Sequence, residues 1–401
     1  MICTALCVVL FALIFTLSNK IADNYRVVTT ESLKISNLVP VSVEAVDTRY
    51  VDKALCNTVG AKYDISLKIF GVIPITKSSV EIVDEMYVVP LGSPFGMKIY
   101  TDGVLVVNIS DVDTASGIKS PAEDCGLSVG DFIISIDGEK VYTNEDVASI
   151  IEASNGEALQ ILIKRNTTVK TLSLVPLLSE STNTYKAGIW VRDSSAGIGT
   201  LTFYYPSNQV VCGLGHSVSD ADTGQILSVG SGELVAAEII SRIMAQKGTP
   251  GELQGRLLSE KYGNILLNCE SGVYSKAVKS FSSENIMRVA LKQEIENGKA
   301  YILTTVEGTV PKLYECEIKI NRKNHSKNQD LVIQITDSSL LQTTGGILQG
   351  MSGSPIIQND KLVGAVTHVL VDDSSKGYGI LAENMLETAQ GVSEQQLKEA
   401  S

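Results

Sequence analysis

Gly345–Val371 reads GGILQGMSGSPIIQNDKLVGAVTHVLV. Glycines flank Ser352, Ser354 follows, and Asn359-Asp360 separates the strand-forming runs Ile356-Ile357 and Leu362–Leu370. That arrangement predicts a loop feeding a β-hairpin. Ser352 is either a nucleophile held on a tight glycine loop or a small residue where the chain turns between strands. A base elsewhere in the chain is needed to decide between them.

The chain has 401 residues, of which 44% are hydrophobic, enough for two or three domains with real cores. Lysine and arginine number 33 against 45 acidic residues, a net charge of −12. Nucleic acid is therefore not expected as a partner, because phosphate binding needs concentrated basic charge. Fourteen tyrosines with a single tryptophan, and abundant glycine and valine, point to a mainly β protein with some α. None of the seven cysteines forms C-x-x-C or lies near a histidine at zinc-ligand spacing, so neither a metal, a cofactor nor a disulfide framework is expected.

Ile2–Leu17, ICTALCVVLFALIFTL, carries no charge. As a helix it would cover roughly 24 Å, slightly short of a hydrocarbon core of about 30 Å. A cleaved signal peptide and an uncleaved anchor both fit. The missing A-x-A signal favours an anchor over residues 1–19 and contact with a membrane there. A β-rich connector is expected over 20–87, with YDISLKIFGVIPIT at 63–76 broken into two strands by its Gly-Val-Ile-Pro.

From 88 to 176 the pattern becomes specific. Ala122–Gly138 contains Gly126-Leu127, Gly130-Asp131 and the strand Ile133–Ile136 before Asp137-Gly138. Thr143 can cap the following helix with Asp146 three positions on, and Val147, Ile150 and Ile151 share one helical face. This order resembles a PDZ domain. The resemblance implies a peptide-binding site in which Phe95, Gly96 and Met97 form the carboxylate loop and Lys98–Tyr100, with Ile99 at its centre, the open edge strand. The groove could also be closed by the protein's own chain. A polar linker over 177–186, a final β domain over 187–387 and a tail over 388–401 complete the expected division.

Histidine occurs at 216, 325 and 368 only. His325, in NRKNHSKNQD, belongs to a polar loop. His216 follows an apolar run and two glycines in VVCGLGHSVSD, where the backbone can tuck in and present the ring. Gly350–Pro355 resembles the G-D-S-G-G-P loop of chymotrypsin-like serine proteases. By that likeness Ser352 is the nucleophile, His216 its base, and the Gly350 and Ser352 amides the oxyanion hole. Ser354 takes the second-glycine position with a packing or hydrogen-bonding role, and is the next nucleophile to test. Met351 replaces the aspartate used in zymogen activation, so the loop should form without that step. Gly346, Thr367 and His368 are expected to shape the substrate cleft, with His368 a competitor for the role of base. No acid sits near Gly346, so a strong preference for lysine or arginine is not expected. A carboxylate is harder to place: Asp337 lies fifteen positions before the serine, and Asp220 and Asp222 are expected in a solvated turn.

GIWVRDSSAGIGTLTFYYP, CGLGHSVSD and QGMSGSPIIQNDKLVGAVTHV, together with the apolar N-terminus and the PDZ-like segment, resemble the SpoIVB peptidases of endospore-forming bacteria. That resemblance implies a chymotrypsin-like β-barrel serine peptidase with the triad His216, Asp337 and Ser352. It further implies secretion from the forespore into the space between the spore membranes, and self-cleavage that releases the enzyme. The expected substrate is the regulatory subunit of the complex that processes pro-sigma-K, and PDZ-mediated self-recognition would make the chain its own partner. The competing reading is a non-catalytic envelope adaptor built from a PDZ and a protease-like β domain.

Overall fold

The structure, a computed structural model, describes residues 24–28, 41–45, 58–69, 71–321 and 328–399, together with residue 14. The anchor expected at 1–19 lies outside them apart from that one residue, and so does His325. Among the described residues no helix is long and apolar enough to cross a membrane. The chain divides into two compact units, Met1–Met86 and Tyr87–Ser401.

In the first unit Asn24–Val28, Ile73–Val83, Lys62–Ile69 and Val41–Ala45 form one four-stranded sheet in that order. Alternation decides its faces: Ile65 and Leu67 point to one side and pack with Val80, Ile82, Tyr25 and Val27, and Ile69 is buried as well.

The second unit is built from long antiparallel strands. Strand β1 (Pro94–Ile109) runs first. Then come β2 (Phe132–Ile136), helix α1 (Asn144–Ala153) and β3 (Leu159–Arg165). These make a small lobe around Val104, Val106, Leu127, Ile133, Ile136, Val147, Ile151 and Ile161. Its local signals are those the sequence announces. Asp137 and Gly138 both take positive φ in the turn after β2, and Thr143 and Asp146 form a reciprocal capping box at the start of α1. The stretch 177–186, expected as a polar linker, forms a short hairpin of Leu177–Leu178 with Tyr185–Lys186. Asp113 secures it by accepting from the Ser179 hydroxyl and the Ser181 amide, bonds that bring its carboxyl down to about 2.

Next come β4 (Ile189–Tyr205), β5 (Val210–Gly213), β6 (Val229–Ile243), β7 (Glu252–Cys269) and β8 (Gly272–Ala277). With the first half of β1 they close an antiparallel ring, β1-β4-β5-β8-β7-β6 and back to β1. Phe95, Met97, Ile99, Leu201, Val211, Leu214, Leu234, Ile265 and Val273 fill it. A second ring uses β9 (Gly298–Thr304), β10 (Lys312–Ile320) and β11 (Leu331–Ile335). Helix α2 (Ser338–Thr344) follows, then β12 (Pro355–Gln358), β13 (Lys361–Leu370) and β14 (Asp373–Leu381). It closes in the order β9-β10-β11-β14-β13-β12 around Ile302, Cys316, Ile318, Ile333, Met351, Ile356 and Val366. Helix α3 (Ala382–Glu399) ends the chain, so a helix spans the 388–401 tail region as far as Glu399.

This closure corrects the expected peptide site. Lys98–Tyr100 is not an open edge. Its residues pair with Ser194–Ala196 of β4 on one side and with Ser231–Glu233 of β6 on the other. Phe95, Met97 and Ile99 are buried, and a Cβ on Gly96 would run into Leu257. A closed ring leaves no unpaired N–H or C=O row for a peptide to join. The neighbouring residue Asp193 accepts from the Asn144 amide at the start of α1. The protein's own strand therefore occupies the edge beside that helix.

Candidate active site

The serine loop lies between α2 and β12 and consists of two interlocked turns. The Met351 amide donates to Leu348 O at 3.1 Å, and the Ser354 amide to Met351 O at 3.0 Å. In each turn the third residue is a glycine with φ +95, Gly350 and then Gly353, as a type II turn requires. The G-x-x-G spacing is thus a backbone requirement. Met351 is buried, its Sδ 3.3 Å from the Leu348 amide, so apolar burial anchors the loop where the protease motif would carry an aspartate. Strand β4 clamps it from the first ring: Thr200 donates its hydroxyl to Gly350 O at 2.8 Å and its amide to Ser352 O at 2.9 Å. The amides of Gly350 and Ser352 donate to no acceptor among the described residues.

His216 is carried by the segment that leaves β5. Leu214 and Gly215 both take φ near +70, which turns the chain sharply before the imidazole. Asn268 on β7 steadies the other side, accepting from the Val218 amide and donating to Val218 O and Leu227 O. The His216 Nδ1 lies 2.8 Å from Ser217 O. A carbonyl only accepts, so the neutral ring carries its proton on Nδ1 and leaves Nε2 as a base. Burial pulls the His216 pKa below its usual range, against the opposing effect of the Ser217 carbonyl. His368, on β13, packs its ring against His216 with centroids 4.9 Å apart. Burial and the charge His216 can carry bring it down to about 4, a shift that solvent at its exposed face weakens. Ser352, half-buried, donates its hydroxyl to Thr367 O at 2.7 Å, one residue before His368. Leu214, two residues before His216, donates to Thr200 O, the same strand residue that clamps the serine loop. The rings thus set Ser352 against the carbonyl of Thr367, whose neighbour His368 packs on His216, and leave the Gly350 and Ser352 amides without acceptors among the described residues.

Other expected positions have different jobs. Asp337 caps α2: one carboxylate oxygen accepts from the Ser339 and Leu340 amides and the Ser339 hydroxyl, the other from the Glu315 amide. The Ser339 hydroxyl leads the bonds that lower its pKa. No hydrogen bond or ion pair joins Asp337 to His216 among the described residues, so the expected orienting contact is absent here. Asp220 is buried, not solvated, and binds Arg192 and Thr223, while Asp222 is the exposed second partner of Arg192. Burial would raise the Asp220 pKa, but the bonds from Thr223 and Arg192 outweigh it and the net shift is down. Gly346 packs directly against β14, where a Cβ would overlap the Ser374 backbone. The Thr367 side chain is buried and donates to Asn328 O, so this residue meets Ser352 through its carbonyl alone. Thr200 was not identifiable beforehand, since nothing in GIGTLTF marks one threonine as a clamp.

A family model described as SpoIVB peptidase S55 matches residues 183–386, just over half the chain, and a PDZ domain model matches 112–165. A candidate zinc metalloprotease of Clostridium acetobutylicum is 36% identical over 71 residues, covering 18% of this chain and 21% of that protein. Another, of Brucella suis, is 30% identical over 110 residues, covering 27% and 28%. The chain thus spans between a fifth and a third of these curated relatives. It also contains no H-E-x-x-H. Among solved structures, the PDZ domain of an SdrC-like protein from Listeria monocytogenes is 24% identical with a TM-score of 0.19, covering 23% of this chain and 90% of that one. The active form of a protease from M. tuberculosis is 14% identical with a TM-score of 0.27, covering 48% and 72%. Neither superposition reaches beyond half of this chain. The family match spans the loops that bear His216 and Ser352 as well as Thr200, which is bonded to both, and the chain therefore belongs to the SpoIVB peptidase S55 family and contains a PDZ domain.

Proposed function

We propose that this peptidase is a serine endopeptidase with a chymotrypsin-like division of labour, His216 supplied by one β ring and Ser352 by the other. The observation that supports it is the meeting of the two loops through Thr367-His368: Ser352 Oγ donates to Thr367 O, the neighbouring His368 ring packs against His216, and two amides of the serine loop have no acceptor among the described residues. Turning the Ser352 hydroxyl from Thr367 O toward His216 Nε2 readies it for attack on a peptide carbonyl. His216 takes the proton and returns it to the leaving amine, and water then releases the acyl group. The Gly350 and Ser352 amides hold the oxyanion. A fluorophosphonate probe tests this: the full chain should be labelled and Ser352→Ala should not. A protein that stays unlabelled under all conditions would instead be the adaptor.

In this reading Ser217 O keeps His216 in the required tautomer, and Asp337 acts through its helix. Asp337→Asn is expected to keep hydrolysis within about twofold, because asparagine caps helices as well as aspartate does, and Asp337→Ala to cost about 1 kcal/mol of stability. Steady-state rates and denaturant unfolding of the two variants check this. A loss of about 10⁴-fold in the asparagine variant would show that the carboxylate orients the base after all.

The resemblance to sporulation peptidases supports a role in forespore-to-mother-cell signalling. We place the enzyme, anchored by residues 1–19 until self-cleavage frees it, in the space between the spore membranes. Its substrate there is the regulatory subunit of the pro-sigma-K processing complex. Co-expression with that subunit should yield cleavage by the native chain and none by Ser352→Ala.

A further inference from the structure

We infer that Ser354, backed by Thr304, is a positioning residue that aims the Ser352 amide at the oxyanion; this rests on Ser352 being the nucleophile. The geometry of the peptide plane is what links the two residues. The Ser352 N–H and the Met351 C=O belong to one planar trans unit and point in opposite directions, so whatever holds the carbonyl directs the amide. Met351 O is held twice. The Ser354 amide reaches it at 3.0 Å, and the Ser354 hydroxyl at 2.6 Å. Ser354 has one hydroxyl proton and the carbonyl can only accept, so that proton goes to Met351 O. The same Ser354 hydroxyl lies 2.8 Å from Thr304 Oγ1, which fixes its other side. Both side chains are fully buried, and no water competes for these bonds.

The partner donor is held by the same device. The Gly350 N–H shares its plane with Gln349 O, which accepts from the Leu253 amide on β7 at 2.8 Å. Each ring therefore contributes to one donor: β7 of the first ring directs Gly350, and Thr304 of β9 in the second directs Ser352 through Ser354. Chymotrypsin-like loops carry glycine where this chain has Ser354. Here the extra hydroxyl supplies a second bond to the carbonyl in addition to the backbone turn.

The test uses the full chain, with 4-nitrophenyl acetate as acylating probe and phenylboronic acid as tetrahedral mimic. Ser354→Ala is expected to lower the acylation rate constant about 10-fold, less than the 10²- to 10³-fold for losing an oxyanion donor outright, with ester binding unchanged. Boronic acid affinity should fall by the same factor as the acylation rate. Thr304→Val, which keeps the Ser354 hydroxyl but removes its anchor, should cost about 3-fold. The double variant should be no slower than Ser354→Ala, because the two act in series. If Ser354→Ala does not fold, Thr304→Val carries the test. Native acylation and boronate affinity in the folded variants, or an equal loss in ester binding, would overturn the inference while Ser352→Ala remains inactive. Ser352→Ala acylating at the native rate would instead remove the serine reading itself. A chain that loses labelling in Ser354→Ala and keeps it in Ser352→Ala would make Ser354 the nucleophile and overturn both.

Discussion

Ser352→Ala is expected to slow hydrolysis by about 10⁴- to 10⁶-fold. His216→Ala should do the same, and the double variant should be no worse than either, because nucleophile and base act as one unit. The residual rate should still exceed that of water, since the Gly350 and Ser352 amides remain. The pH profile carries a second expectation. His216 works only as the neutral base, and its pKa lies below the usual imidazole value because of burial. Activity should therefore keep its plateau to lower pH than a free imidazole would allow and fall only as the pH drops below the lowered pKa. His368, shifted in the same direction by burial and by the charge His216 can carry, should add no inflection above the usual imidazole value. The sign for stability is the same. The unfolded chain binds protons on these rings near pH 6.5 while the folded one resists, so stability declines as pH falls from there. A profile with its acidic limb above pH 7 would contradict the environment described for His216, and full activity in Ser352→Ala would end the serine mechanism.

Gly353→Ala is expected to cost about 3 kcal/mol or more and to abolish activity with it. Gly353 has φ +95, and a Cβ there would overlap Thr200 O and approach the Leu214 amide at 2.5 Å. Both obstacles are backbone, so neither can swing aside. One leads to His216 and the other belongs to the clamp on Gly350, so relieving the overlap separates base from nucleophile. Gly391 is the control. It lies in α3, and a Cβ added there would meet nothing within 4 Å, so Gly391→Ala should leave activity intact and stability equal or slightly higher. Thermal unfolding of the two variants decides the matter. A Gly353→Ala protein that melts with the native one would mean the two loops do not pack as described.

Much of the local structure was legible in the sequence for one reason: turns and caps are settled by residues within about four positions of one another. Asp137-Gly138 and Asn359-Asp360 form their hairpin turns with positive φ, and Thr143 with Asp146 caps its helix. The two glycines around Ser352 are each demanded by a turn that begins and ends inside the loop. His216 and Ser352 could be named because a glycine-framed histidine and a glycine-framed serine leave short local signals.

What lay beyond the sequence was every partner reached across the rings. Lys98–Tyr100 looks like a free edge in a string of letters, yet residues about 95 and about 133 positions further on pair with both its sides. Asp337 is a suitable triad acid by type and order, and its bonds to Ser339, Leu340 and Glu315 show that a helix terminus claims it. Thr200, Thr304 and Leu253 carry no motif, and acquire their roles because ring closure sets them against the serine loop. Turns, caps and the identity of the reactive side chains could be read from the letters alone, because they depend on backbone freedom and on chemistry close along the chain. Closed edges and held carbonyls emerge with the folded rings, because strand pairing joins groups far apart in sequence through contacts that no local pattern encodes.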